Sequence, residues 1–365
     1  MFNRLKSLLR GNAPAAGTED TPGNGGGLYN VYATTSPLPA LAFTHAIAGQ
    51  RDLDDPALRE HLGGFIGYVL SRGDGQMTRT RYHLMRHLQR VRHHVSLRVP
   101  DASMDAFAAW AAQANAVVFV EDGSVRDAFG RVLIDGQGAG DDGASVPHPA
   151  DAWQRKAAGD AWLAGQGIRV PESLPPVIGG DEVRWRSAAE VAGRIAALLV
   201  VSTYAESVRE NERLDLGMVR ERLPMAFDHL STDELAFLEA AEPDDNAVNQ
   251  FGWRYESLAL LAWAAGIWPT LGGADAICDV ATLSGTVLDT VTPEWQRQAR
   301  LRPAGEILDA LDRIYRLHWA TREAELGRRE PVPGVIPGVV VERHHALNWL
   351  VRFEDADWDQ VDTPT

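Results

Sequence analysis

Apolar positions come in short alternating runs between residues 28 and 136, and in longer runs with helical spacing beyond residue 185. The β-branched and aromatic run "LYNVYATT" (28–35) predicts a strand. A helix is expected near 38–48, and another element from Pro56, where Asp55 supplies a good helix start. "GGFIGYVL" (63–70) fits strand or helix. Residues 77–93 show helical spacing at Leu84, Leu88, Val91 and Val95. "HVSLRV" then predicts a strand, 102–114 an alanine-rich helix, and "AVVFVEDGSV" with "GRVLIDG" a pair of strands around a turn.

The second half changes character. "SAAE" (187–190) and "STDE" (231–234) are capping boxes, in which a serine and the acid three residues on satisfy each other's backbone N–H groups. Further helices are expected at about 252–268, 273–286, 304–324 and 338–351. On 304–324, Asp309/Arg313 and Asp312/Arg316 have the i,i+4 spacing that supports an exposed helix face. The expected class is α+β: a tail over 1–27, a mixed α/β domain over 28–136, a Gly/Pro-rich linker with a short helix over 137–184, and an all-α domain over 185–365.

Composition sharpens this picture where charge is concerned. The formal net charge is -15. Residues 1–150 carry 14 Lys+Arg against 15 Asp+Glu, and residues 151–365 carry 21 against 35, so -1 and -14 respectively. An acidic second half disfavours nucleic acid and anionic membrane and suits a basic protein partner. One cysteine, Cys278, allows no disulfide within the chain and fits a reducing, cytoplasmic setting. The longest unbroken apolar run, "LALLAWAAGIW" (258–268), is too short to span a bilayer.

Motif chemistry is sparse. The glycines of "DGQGAGDDG" lack dinucleotide spacing, and "DADWD" lacks the turn glycine of a calcium loop. No cofactor is implied. Residues 77–98 hold six arginines, four histidines and no acid. On a helix, Arg79, His83, Arg86, His87, Arg90 and His94 would form one basic stripe. It would serve as a solvated face, an anion or partner contact or, through His83 and His87, a metal site that lacks a third ligand. In the second domain, Arg254 and Glu256 stand at the mouth of an apolar helix, His318 shares a face with Leu311 and Ile314, and Arg343 shares one with Leu347 and Leu350. A buried guanidinium needs a carboxylate, and Glu256 and Asp359 are the candidates for Arg343. The outcome would be either an ion-pair network locking helices together or a ligand pocket.

Taken together, "FGWRYESLALLAWAAGIW", "RPAGEILDALDRIYRLHWATREA", "GVVVERHHALNWL" and "DWDQVDTPT" resemble the bacterial domain-of-unknown-function family 4272 over about residues 185–365. The chain ends T-P-T where the motif has T-D-T. The resemblance implies a helical fold and bacterial origin. It marks Trp253, Arg254, Glu256, Arg302, His318, Trp319, Glu342, Arg343, Trp349, Trp358 and Asp359 as motif positions. Two functions follow as expectations: a cytoplasmic binding or immunity-type module with a basic protein partner, or an enzyme or small-ligand sensor. In the second, an arginine would hold an anionic group, and Glu256, Glu342 or His318 would act as acid or base.

Overall fold

A computed structural model describes residues 26–365, so all but the last two residues of the expected tail lie outside the described part. The chain divides after Ala150 into two compact units.

The first unit is built on a six-stranded antiparallel sheet in the order β2-β3-β1-β4-β5-β6. Its strands are β1 (Gly27–Ala33), β2 (Ala46–Asp52), β3 (His93–Val99), β4 (Ala116–Val120), β5 (Val125–Arg126) and β6 (Val132–Ile134). The two-residue side-chain period of a strand makes β1 serve two cores. Tyr32 packs with Phe65, Leu84 and Leu88 beneath α1 (Pro56–Leu70) and α2 (Arg79–Gln89). Val31 and Ala33 face α3 (Met104–Gln113) through Phe107 and Trp110. Asp55 caps α1 by accepting from the Ala57 N–H at 2.9 Å, with Pro56 in the first turn. The ambiguous "GGFIGYVL" continues that helix.

No helix forms near 38–48. Pro37 and Pro39 disfavour the α conformation in the residues before them, and β2 begins at Ala46. Leu38, Leu41 and Phe43 instead pack against the α3 side of the sheet, where the Trp110 indole donates to the Pro39 carbonyl at 2.9 Å.

The basic stripe is also redistributed. Helix α2 ends at Gln89, and His94 lies in β3, stacked on His61 with ring centroids 4.4 Å apart. His87 is fully buried beside Leu84 and Leu88, its Nε2 3.2 Å from the Tyr32 carbonyl. Arg79 is exposed, while His83, Arg86 and Arg90 are half-buried. Burial, then Arg90, His87 and His83, holds the His148 imidazole well below its ordinary pKa.

The second unit is helical. It comprises α4 (Ala150–Gly165), α5 (Ala188–Arg209), α6 (Leu216–Arg222), α7 (Pro224–Phe227), α8 (Thr232–Glu239), α9 (Asp245–Gly252), α10 (Arg254–Ala264), α11 (Val280–Thr290), α12 (Pro293–Gln298), α13 (Ala304–Leu326) and α14 (Pro337–Leu350). Ser187 and Ser231 make both expected capping boxes, with Glu190 and Glu234. Helix α5 is apolar on nearly every face because it is the central core helix. It is long and apolar enough to cross a membrane, which "LALLAWAAGIW" is not, and most of that stretch is buried in this fold. Helix α14 packs against both α10 and α13. The Gly/Pro-rich stretch after α4 contributes Ile168 to the same core.

The pair Asp312/Arg316 overturns one expectation. Neither side chain is exposed, and the guanidinium meets the carboxylate through two hydrogen bonds of 2.7 Å. The i,i+4 spacing therefore marks an ion pair inside the unit, which Asp160 joins at 3.1 Å from Arg316.

Candidate functional site

Helices α10 and α14 lie side by side and exchange charges in opposite senses. Arg254, at the first position of α10, donates to both oxygens of Glu342 at 3.2 and 3.0 Å. One residue further along α14, Arg343 donates back to Glu256 at 3.0 Å. The opening geometry of α10 explains this. A turn of helix sets residues 254 and 256 on different sides, so each reaches a different neighbour. Ser257 completes the first pair by donating to Glu342 at 2.7 Å.

The second pair is closed to solvent, with Arg343 and Glu256 side chains 3% and 2% exposed. Arg343 spends its remaining donors on the Gly272 and Gly273 carbonyls at 3.3 and 2.9 Å. Glu256 accepts from the Cys278 N–H at 2.6 Å. Every charge is thus matched, the condition under which a buried pair is tolerated. Burial and the neighbouring Glu256 carboxylate push the Cys278 thiol up to about 12.

Of the two carboxylates expected for Arg343, Glu256 is the partner. Asp359 instead accepts from the Asp233 N–H at 3.1 Å, at the start of α8. A second cluster gathers around Trp358. The Arg194 and Arg254 guanidinium carbons lie 4.7 and 5.6 Å from its ring centroid, and His345 and Trp349 meet it edge-on at 4.5 and 5.4 Å. Arg194 is ion-paired with Glu234, whose side chain is 1% exposed. Burial, then Arg254 and Arg194, lowers the His345 pKa to about 3.

The other motif residues stand apart from these clusters. Arg302 closes the end of α10, donating to the carbonyls of Trp263, Trp268 and Pro269 while stacking on the Trp263 ring. His318 Nδ1 lies 2.8 Å from His344 Nδ1, so one ring donates and the other accepts. Burial lowers the His318 pKa to about 4 and carries that of His344 well below its ordinary value. Trp253 packs against Gly338, where a Cβ would stand 2.8 Å from the indole. Trp319 is half-buried against the core.

Sequence reasoning passed over Arg194, Glu234 and His345 as members of a site. The available signal was Arg194 itself, a lone cation inside the otherwise apolar "GRIAALLVV". Among the described residues, no group of three or more His, Cys, Asp or Glu side chains is arranged to hold a metal ion.

An antiparallel sheet unit thus precedes a helical unit whose motif arginines and glutamates are tied to one another. The chain belongs to the family described as a domain of unknown function, DUF4272, whose model matches residues 155–361. That match begins before the boundary near 185 that the motifs suggested and takes in most of α4. No curated protein and no solved structure matches the chain.

Proposed function

We propose that this chain is a bacterial cytoplasmic binding module of the immunity type, which uses its first unit to hold a basic protein. The observation that carries this reading is an open groove of about 450 Å³ bordered by Tyr29, Phe107, Val118 and Phe129. Phe129 is 69% exposed at a turn, with the Arg131 guanidinium carbon 5.8 Å from its ring centroid. Asp105, Glu121 and Asp122, all exposed, stand around the groove, with Arg126 among them. Hydrogen bonds from Ser124, followed by those from Arg126, which pairs with it at 2.6 Å, lower the Asp122 pKa; Asp105 and Glu121 are the rim acids outside that pair. An apolar anchor inside an acidic rim suits a basic partner, with charge steering the encounter and the ring supplying buried area.

Support also comes from the helical unit. The enzyme or sensor alternative, as the motifs drew it, needed Glu256 and Arg343 to face a cavity, whereas that pair is closed to solvent and matched within the fold.

The test is native mass spectrometry of the chain purified gently from its own cells, beside Phe129→Ala and Glu121→Lys variants. The reading expects one stoichiometric basic protein that both variants release. A bare wild-type chain, or an adduct indifferent to both substitutions, overturns it.

A further inference from the structure

The cluster around Trp358 has the make-up of a ligand site filled from within. Three long helices and one short helix supply it: Arg194 from α5, Arg254 from α10, His345 and Trp349 from α14, and Glu234 from α8. Trp358 is carried on the segment after α14 and is 4% exposed. We propose that this slot is a binding site for a small planar aromatic carboxylate, and that Trp358 and Asp359 occupy it as an internal stand-in.

Three observations support the assignment. The first is chemical. Two guanidinium groups over one aromatic ring make a strongly cation-lined slot, and such surfaces hold planar π-systems. Asp359 completes the stand-in by presenting a carboxylate to the Asp233 N–H, near enough to Arg194 to bear on its charge.

The second is the poor fit of the occupant. Arg194 Nε and Arg254 Nε, both lining the slot, are buried without a hydrogen-bond partner, as is Nε1 of Trp358 itself. Buried polar groups are normally satisfied, so two unpaired guanidinium N–H donors beside one ring describe a slot that would take an acceptor an indole does not carry. A carboxylate on the ring would supply acceptors to these N–H donors, and Arg–carboxylate bonds are the stronger, charge-assisted kind.

The third is the way the segment is tied down. It leaves α14 through Arg352, Glu354 and Asp355 at φ of 53°, 55° and 57°, a left-handed conformation that disfavours side chains. Beyond that turn its ties include Arg186 to the Ala356 carbonyl at 2.6 Å and Asn348 to the Asp362 carbonyl at 2.8 Å. These bonds, with the buried Trp358 and Val361, are the contacts a ligand entering the slot would have to replace. This inference concerns the helical unit and stands or falls independently of the groove in the first unit.

The test is calorimetric titration of full-length Trp358→Gly with indole-3-acetate, using indole and benzoate as comparators. The slot predicts that indole-3-acetate binds at least about tenfold tighter than indole. Adding Arg194→Lys should remove that preference. Equal affinity for indole and indole-3-acetate would reveal a plain apolar hole, and no binding at about 10 mM would reveal no site; either result overturns the proposal. Wild-type protein provides a second readout that needs no variant. Backbone amides of residues 353–362 should exchange hydrogen faster when indole-3-acetate displaces the strap. Unchanged exchange at about 10 mM ligand counts against the proposal, whether or not the variant folds.

Discussion

Arg316 and Asp312 share two hydrogen bonds of 2.7 Å across one turn of α13, with both side chains wholly shielded from water. Desolvating two charges is costly, and breaking such a pair costs more than replacing it, because the survivor stays buried without its counter-charge. Arg316→Met, which leaves Asp312 buried without a counter-charge, should therefore destabilise the helical unit by about 3–5 kcal/mol, whereas Asp312→Asn, after which Arg316 keeps Asp160, and the double replacement Asp312→Leu/Arg316→Met should each cost clearly less. Urea unfolding of the two single variants and the double variant checks this. Equal losses in all three would show that the pair contributes nothing as a pair.

A glycine carries a second prediction. A methyl group at Gly338 would stand 2.8 Å from the Trp253 ring. Gly338→Ala should cost about 1–3 kcal/mol through overpacking, despite the gain in helix propensity. Gly305 lies in another helix with nothing within 4 Å of a Cβ, so Gly305→Ala should be neutral or mildly stabilising. Thermal melts of the two variants side by side give the contrast, and a neutral Gly338→Ala would contradict this packing.

How much of this was legible in the sequence depended on whether a pattern has one physical meaning. The serine-to-glutamate capping boxes at 187 and 231 do, because only a helix start places those groups in reach of each other. The i,i+4 charge pair does not. Asp312 and Arg316 have the same spacing whether they face water or the core, and Asp160, which meets Arg316 there, lies on a helix far away in sequence. The partner of Arg343 was narrowed to two carboxylates by the rule that buried charge must be matched, but choosing Glu256 required the packing of α10 on α14. The apolar residues near 41 misled for another reason: flanking prolines let the same side chains cover a sheet without forming a helix. Arg194 stood in plain view in an apolar run, yet its tie to Glu234 depends on α8 folding back onto α5.

The thiol of Cys278 offers a chemical reading of the Arg343–Glu256 pair. With its pKa pushed up to about 12 by burial and by Glu256, it should resist iodoacetamide in the native protein at pH 8 and react freely on unfolding. Glu256→Gln removes a negative charge beside the sulfur and should speed native labelling, as followed by mass spectrometry. Labelling of native wild-type protein at the rate of a free thiol would contradict the placement.

Acid should weaken the helical unit through its buried imidazoles. His318 is held neutral down to about pH 4, whereas in the unfolded chain it takes up a proton near its ordinary value of 6.5. The unfolded state thus binds more protons between these limits, so stability is intact above about pH 6.5 and falls as the pH drops towards 4. Burial is the main cause, followed by Arg322, with Glu325 and Asp362 opposing. The urea midpoint should decline over that window, and His318→Asn should flatten part of the decline. A midpoint constant from pH 7 to 4 would refute it.

The apolar character of α5 has a consequence for biosynthesis. During translation this helix emerges well before α9 and α10, which pack against it in the folded unit. For that interval the nascent chain displays a segment with the length and hydropathy that membrane-insertion machinery recognises. The surface that later organises the core is, early on, one that chaperones must keep from other apolar surfaces. Arg194, the lone cation in its first half, then becomes more than the partner of Glu234. It is a charge that makes the unfolded segment a poorer substrate for insertion.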